Sequence, residues 1–391
     1  MMIAKGSDGM GASDTGMGET PTITVAALAK SLDAVFLERS EAIRAMLLAV
    51  LAKEHVVLVG PPGVAKSALA RALAAAFGAS YFEYLLTRFT EPSEIFGPVD
   101  PNAFRAGRYA RQTAGKMPEA IIAFLDEVFK GNSAILNSQL GILNERQFDA
   151  GSGPCKVPLH TCIGASNELP ESEELSALYD RFMIRLYVDR IAERSNFRRF
   201  LEARLTRAPL TIPGRVDIRA ESEATRKVLV TPETLDAMTE LAWSCRSSGF
   251  APSDRRWGQS LGIVQAAAHI DGRVATEPED LECLENVLWN KPDERAAVAR
   301  LIQTVVNPAG ARAVEELDAA REILAKLPAR ESTDAGAYMG AIGGAVRDVG
   351  EIMKRLESFP SGRKVDAARK EVTEIKAQVA KLAMRAAGVE L

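Results

Sequence analysis

Histidine and cysteine are scarce in this chain, with 3 and 4 copies in 391 residues. Cys155, Cys162, Cys245 and Cys283 are scattered without CxxC spacing, which argues against a metal knuckle or a redox pair. His55, His160 and His269 show no ligand spacing, so no zinc site is read from them. Long apolar runs are missing too. Nothing approaches the roughly 20 residues of a membrane span, and the N-terminus lacks a signal-peptide core, so the expected location is cytoplasmic. A net charge of −4 gives no bulk attraction to nucleic acid or to an acidic membrane. What is present is a globular composition, 47% hydrophobic and 26% charged. Its length suits two or three domains at roughly 150 residues each.

The stretch VVLVGPPGVAKS, residues 56–67, reads as strand, loop and helix. Val56, Val57, Leu58 and Val59 form the apolar run; Gly60, Pro61, Pro62 and Gly63 break it; Lys66 and Ser67 open an alanine- and leucine-rich helix. Backbone N–H groups at such a helix start have no partner within the helix, and the helix dipole reinforces them, so the junction favours phosphate. In this P-loop reading Lys66 reaches the terminal phosphates and the Ser67 hydroxyl coordinates Mg²⁺. Ala65 stands where the last glycine of GxxxxGK[ST] is usual, and it is expected to take a negative φ on entering the helix.

Further along, an apolar strand from Ile121 to Leu125 ends in Asp126 and Glu127, at the usual ligand edge of an open α/β sheet. Asp126 suits Mg²⁺ or its water shell, and Glu127 suits the base for an attacking water. Another apolar strand reaches Asn167, whose amide can hydrogen-bond a phosphate or that water. LYDRFMIRL, residues 178–186, offers Arg181, and after it Arg185, as a guanidinium supplied to a neighbouring subunit's phosphate. Residues 87–120 read as loops and a hairpin carrying Arg105, Arg108, Arg111 and Lys116.

In this order, GPPGVAKS, FLDE, GASNE and LYDRF resemble the MoxR group of AAA+ ATPases. ERSEAIRAMLLAVL, FEYLLTRFTEPSEIFGP and SNELPESEELSALYDRFMIRL are similar to its RavA-type branch. The likeness covers residues 40–186 and continues sparsely through 250–268. It implies an α/β AAA+ core, a helical lid, and a ring, most often hexameric, with ATP and Mg²⁺ between subunits. It implies a nucleotide-binding loop of Gly60, Pro61, Pro62, Gly63, Val64, Ala65, Lys66, Ser67 and Ala68, with Lys66 and Ser67 as Walker A. Asp126 and Glu127 become Walker B, Asn167 sensor 1 and Arg181 the arginine finger. In SDRRW the sensor 2 position falls on Arg255, or on Arg256 by a one-residue shift, with Ser253 as N-cap.

The implied activity is hydrolysis of ATP to ADP and phosphate, used to remodel or mature another protein. The implied partner is a von Willebrand factor A domain protein of the ViaA kind, held through its metal-ion adhesion site; the client is not implied. The small β-rich module of RavA-type chains is expected to be absent, since no strand-rich stretch follows the lid. The rival readings are an ATP-gated scaffold with little hydrolysis and a nucleic-acid-dependent motor; no nucleic-acid partner is expected.

The expected organisation is a mobile tail (1–22), an α/β nucleotide-binding core (23–194), an α-helical lid (195–307) and a C-terminal helical hairpin or three-helix bundle (308–391). In the last part Val365, Ala368, Val372, Ile375, Val379 and Leu382 follow a heptad seam. Val314, Leu317, Leu324 and Leu327, then Ile342, Val346, Val349, Met353 and Leu356, are the seams expected on the two helices before it.

Overall fold

The computed structural model describes residues 21–131, 133–151, 153–170, 173–206, 214–250, 252–327, 335–360 and 362–386. They fall into two compact units, Met1–Phe182 with Leu186–Ser222, and Met183–Arg185 with Glu223–Leu391. Residues 1–20 of the expected tail lie outside the described residues. The lid was expected from 195, but the stretch up to Ser222 groups with the first unit.

In the first unit the elements are α1 (Val25–Val35), α2 (Ser40–Ala52), β1 (Val56–Val59), α3 (Lys66–Ala76), β2 (Tyr81–Leu85), α4 (Pro92–Phe96) and α5 (Pro101–Arg105). They continue with β3 (Ile122–Asp126), α6 (Ser133–Glu145), β4 (Gln147–Asp149), β5 (Pro154–Lys156), β6 (Thr161–Ser166), α7 (Glu173–Tyr179), the end of β7 (Ile184–Tyr187), α8 (Arg194–Thr206) and the start of α9 (Ile218–Arg226). The main sheet runs β2-β3-β6-β1-β7. The β2–β3, β3–β6 and β6–β1 pairs are parallel.

Parallel strands covered on both faces read as continuous apolar runs, and all of β1 and β6 is buried. Val59 lies level with Ser166, and Leu85 with Asp126. The ends of β3, β6 and β1 therefore open on one edge of the sheet. That edge is where a doubly wound sheet binds ligands.

Residues 87–120 differ from the expected loops and hairpin. Prolines at the first turn and the acceptors Glu91 and Asp100 start the short helices α4 and α5. One antiparallel bridge, Val99 with Arg111, is what stands of the hairpin. Arg111 donates to Gly97 O (2.8 Å) and Lys116 to Glu94 O (3.0 Å), whereas Arg105 and Arg108 are exposed.

The second unit contains α10 (Pro232–Ser247), α11 (Asp254–Ile270), α12 (Arg295–Val306), α13 (Pro308–Ala325), α14 (Ala335–Glu357) and α15 (Arg363–Ala386). The last three pack as a three-helix bundle around Ala313, Leu317, Ala320, Ala345, Val349, Ile352, Leu356, Val365, Ala368, Val372, Ile375 and Val379. The α15 seam is as expected through Val379, and Leu382 is half-buried. Val314 and Val346 are corrected: they are 40% and 42% exposed, and the neighbouring Ala313 and Ala345 occupy the seam. A small side chain there lets the helices approach, which a search for large apolar residues overlooks.

Candidate functional site

The loop after β1 is shaped by two backbone demands. At Gly60 a Cβ would run into Val188 O, so no side chain fits. Val188 N in turn donates to Val59 O (2.8 Å), which fixes the obstacle in place. At the other end of the loop Ala65 has φ 70° and ψ 22°, the left-handed region. This corrects the expected negative φ. The turn into α3 needs a left-handed residue whose carbonyl still starts the helix, and Ala65 O accepts from Leu69 N at 3.0 Å. For alanine that conformation costs about 1–2 kcal/mol.

Arg39 helps to hold the loop in this strained form. Its buried side chain donates from Nε to Val64 O (3.0 Å) and from Nη1 to Glu38 O (2.7 Å). Burial lowers the Arg39 pKa, and the charges of Glu38 and Asp189 oppose that shift. Glu38 itself accepts from Ala192 N (2.7 Å), Glu193 N (3.0 Å) and Asn196 Nδ2 (3.0 Å), tying the same corner to the start of α8.

Lys66 is only 9% exposed. Its ammonium donates to Gly60 O (2.5 Å), Asn167 Oδ1 (3.2 Å) and Ser166 O (3.3 Å), and lies 3.5 Å from Pro61 O. Desolvation lowers its pKa, while Asp126 and Glu127 act in the opposite sense. A cation in this cradle can exchange weak carbonyl partners for phosphate oxygens. Ser67 follows it on the first turn of α3, and Ala68 is exposed beside it.

Asp126 and Glu127 stand at the end of β3, as expected. The Glu127 N–H donates to Asp126 Oδ1 (3.0 Å), and Glu127 adopts a left-handed backbone, φ 51° and ψ 45°. Its Oε1 accepts from Asn167 Nδ2 at 2.6 Å. Asn167, just beyond β6, thus links Lys66 on one side to Glu127 on the other. The oxygen donors Ser67 and Asp126 suit Mg²⁺, which is usually held by one or two carboxylates together with substrate phosphates. Helix start, buried cation and acidic strand end together fit a nucleotide phosphate chain.

Arg181 lies in the first unit, beyond the C-terminal end of α7, with Nη1 3.6 Å from Asp180 Oδ2. Arg185 does not serve as an alternative finger: it is 1% exposed and donates to Trp289 O (2.6 Å) and Asn290 Oδ1 (3.2 Å). In the second unit Ser253 caps α11, accepting from Arg256 N (3.2 Å). Arg256 is 2% exposed and spans Met183 O (3.2 Å) and Val287 O (2.8 Å), whereas Arg255 is exposed. Arg256 is thus committed to backbone carbonyls within the second unit. Arg39 and Lys130 were missed by sequence reasoning; Lys130 lies one helical turn after Glu127, and that spacing was its only local signal.

Residues 23–222 match the family profile described as the MoxR domain in the MoxR-vWA-beta-propeller ternary systems, and residues 233–302 match an AAA lid domain. Uncharacterized protein MJ0812 of Methanocaldococcus jannaschii is 41% identical over 299 residues, 76% of this chain and 79% of its own length. Chaperone MoxR1 of Mycobacterium tuberculosis is 25% identical over 158 residues, 39% of this chain and 41% of its own. A solved structure of a candidate ATPase from Cytophaga hutchinsonii superposes with a TM-score of 0.58 at 17% identity, covering 71% of this chain and 92% of its own, which shows a shared fold. The profile match runs over just over half of the chain and includes every first-unit side chain described above; the chain belongs to the MoxR family of AAA+ ATPases.

Proposed function

We propose that this chain hydrolyses ATP to ADP and phosphate with Mg²⁺, in a homohexameric ring, and works in the cytoplasm as a chaperone-like remodelling or maturation factor of the RavA type. The observation that carries the reading is the line from Lys66 through the Asn167 amide to Glu127, with contacts of 3.2 Å and 2.6 Å. It joins a phosphate-binding cation to a carboxylate base through a side chain that can sense both.

Bound ATP supplies the γ-phosphoryl group, and Mg²⁺ neutralises charge on the phosphates. The loop N–H groups from Gly60 to Ala68 and the Lys66 ammonium hold the phosphate chain, and Ser67 and Asp126 hold the ion or its waters. Asn167 orients the attacking water, and the Glu127 carboxylate takes its proton. Arg181 acts across the subunit boundary on the neighbour's phosphate, and Arg255 is the sensor 2 residue of the lid. Such catalysis is positioning and charge neutralisation, with no covalent enzyme intermediate.

The partner is a von Willebrand factor A domain protein of the ViaA kind; the matching family, the MoxR domain of the MoxR-vWA-beta-propeller ternary systems, supports the vWA domain. The client is an unidentified protein, and the chain's charge gives no argument for nucleic acid. The test is steady-state phosphate release across protein concentration, with Glu127→Gln alongside. Turnover that rises per subunit with concentration and vanishes in the variant is the expected result; ATP binding with turnover no faster than the variant's refutes hydrolysis.

A further inference from the structure

Lys130 has no role in the account so far, yet it faces the base. Glu127 in its left-handed conformation turns the chain into a single 3₁₀ turn, Val128–Lys130, closed by Lys130 N donating to Glu127 O at 2.8 Å. That turn brings the Lys130 ammonium back to the carboxylate, 3.3 Å from Glu127 Oε2. The two Glu127 oxygens are thereby distinguished. Oε1 is taken up by the Asn167 amide at 2.6 Å. Oε2 is buried and accepts no hydrogen bond among the described residues, so the ammonium is close enough to attract it without saturating its lone pairs.

We infer that Lys130 is a positioning residue for Glu127, and that Oε2 is the oxygen that takes the proton from water. The inference rests on the hydrolysis reading above. A glutamate side chain left to itself loses rotamer entropy when it is ordered. Partners on two sides, a hydrogen-bonding amide at Oε1 and a cation at Oε2, fix both the direction and the plane of the carboxylate before substrate arrives. The left-handed backbone at Glu127 sets the direction in which that turn leaves β3.

Two measurements test it. In the first, the ligand-free full chain is treated with a water-soluble carbodiimide and digested for mass spectrometry. An amide bond between Lys130 Nζ and the Glu127 carboxyl, formed with loss of one water, is expected; it is absent in Lys130→Arg and in Glu127→Gln. The exposed Lys354–Glu351 pair, at 2.8 Å, serves as the internal control. A linked control without the Lys130 product overturns the contact. In the second, Lys130→Met is expected to lower kcat about tenfold or more while KM for ATP stays within about twofold, and Lys130→Arg to restore most of the loss. A Met variant that turns over as fast as the native chain or faster, or an Arg variant as slow as Met, overturns the role. If the native chain releases phosphate no faster than Glu127→Gln, hydrolysis fails first and the positioning role falls with it.

Discussion

The Asn167 side-chain amide donates to Glu127 Oε1 across 2.6 Å, although the two residues are 40 apart in sequence. The same amide group accepts from Lys66 through its other end, at 3.2 Å. Removing it disconnects Glu127 from Lys66. Asn167→Ala is expected to lower kcat about a hundredfold, as loss of one aligned donor does elsewhere, with ATP affinity changed little. Parallel titration calorimetry and phosphate release separate the two. Loss of binding instead of turnover would show that Asn167 serves only to hold the loop.

Ala65 carries backbone strain that glycine would not. Ala65→Gly relieves about 1–2 kcal/mol in the folded state and gives back about 0.5–1 through the more flexible unfolded chain. The net expectation is a gain of between zero and about 1.5 kcal/mol in chemical denaturation. Ala65→Val, β-branched in the same conformation, is expected to be destabilised and to bind ATP more weakly. A glycine variant less stable than the native chain would contradict the strain.

The two neighbouring arginines of α11 separate stability from activity. Arg256→Ala leaves buried carbonyls without their donor and is expected to cost about 3 kcal/mol or more in stability. Arg255→Ala, on the exposed side, is expected to stay within about 0.5 kcal/mol while lowering turnover. The reverse pattern would place sensor 2 on Arg256.

His55 makes the first unit sensitive to acid. Its Nδ1 accepts from Cys162 N (2.9 Å), and its Nε2 lies 2.9 Å from Leu143 O and 2.6 Å from Arg146 Nη1. Burial first, and then the Arg146 cation, hold its pKa well below the usual 6.5. The unfolded chain therefore binds a proton near pH 6.5 that the folded chain refuses. Stability is complete above about pH 6.5 and falls below it, at up to about 1.4 kcal/mol per pH unit from this group, until the folded value is reached. Urea midpoints at pH 7.5 and pH 5.5 check this. His55→Asn, which keeps an acceptor near Cys162 N and cannot be protonated, is expected to show a smaller drop. An equal drop in both proteins would assign the acid sensitivity to other groups.

What could be read from the sequence is local. The loop glycines, the Asp-Glu pair and Asn167 each sit at the end of an apolar strand, and β1, β3 and β6 bring them to one edge. The heptad seam of α15 was equally plain, because its spacing lies within one helix. Arg39 was hidden because its acceptor, Val64 O, lies 25 residues away and is a backbone atom, which no residue pattern marks. Which of Arg255 and Arg256 turns inward at the helix start is a question of tertiary burial, which no residue pattern marks. Ala65 was misread because its φ is set by the turn that α3 requires, against the residue's own preference.

The measurement that bears most directly on the account mixes Arg181→Ala with Glu127→Gln, each inactive alone. Where an Arg181→Ala subunit supplies the base and its Glu127→Gln neighbour supplies the guanidinium, a complete site is rebuilt at up to about one interface in four of a randomly mixed ring. The account predicts that phosphate release returns to roughly that fraction of the native rate. Mixed rings that form, bind ATP and remain inactive would contradict a site shared between subunits.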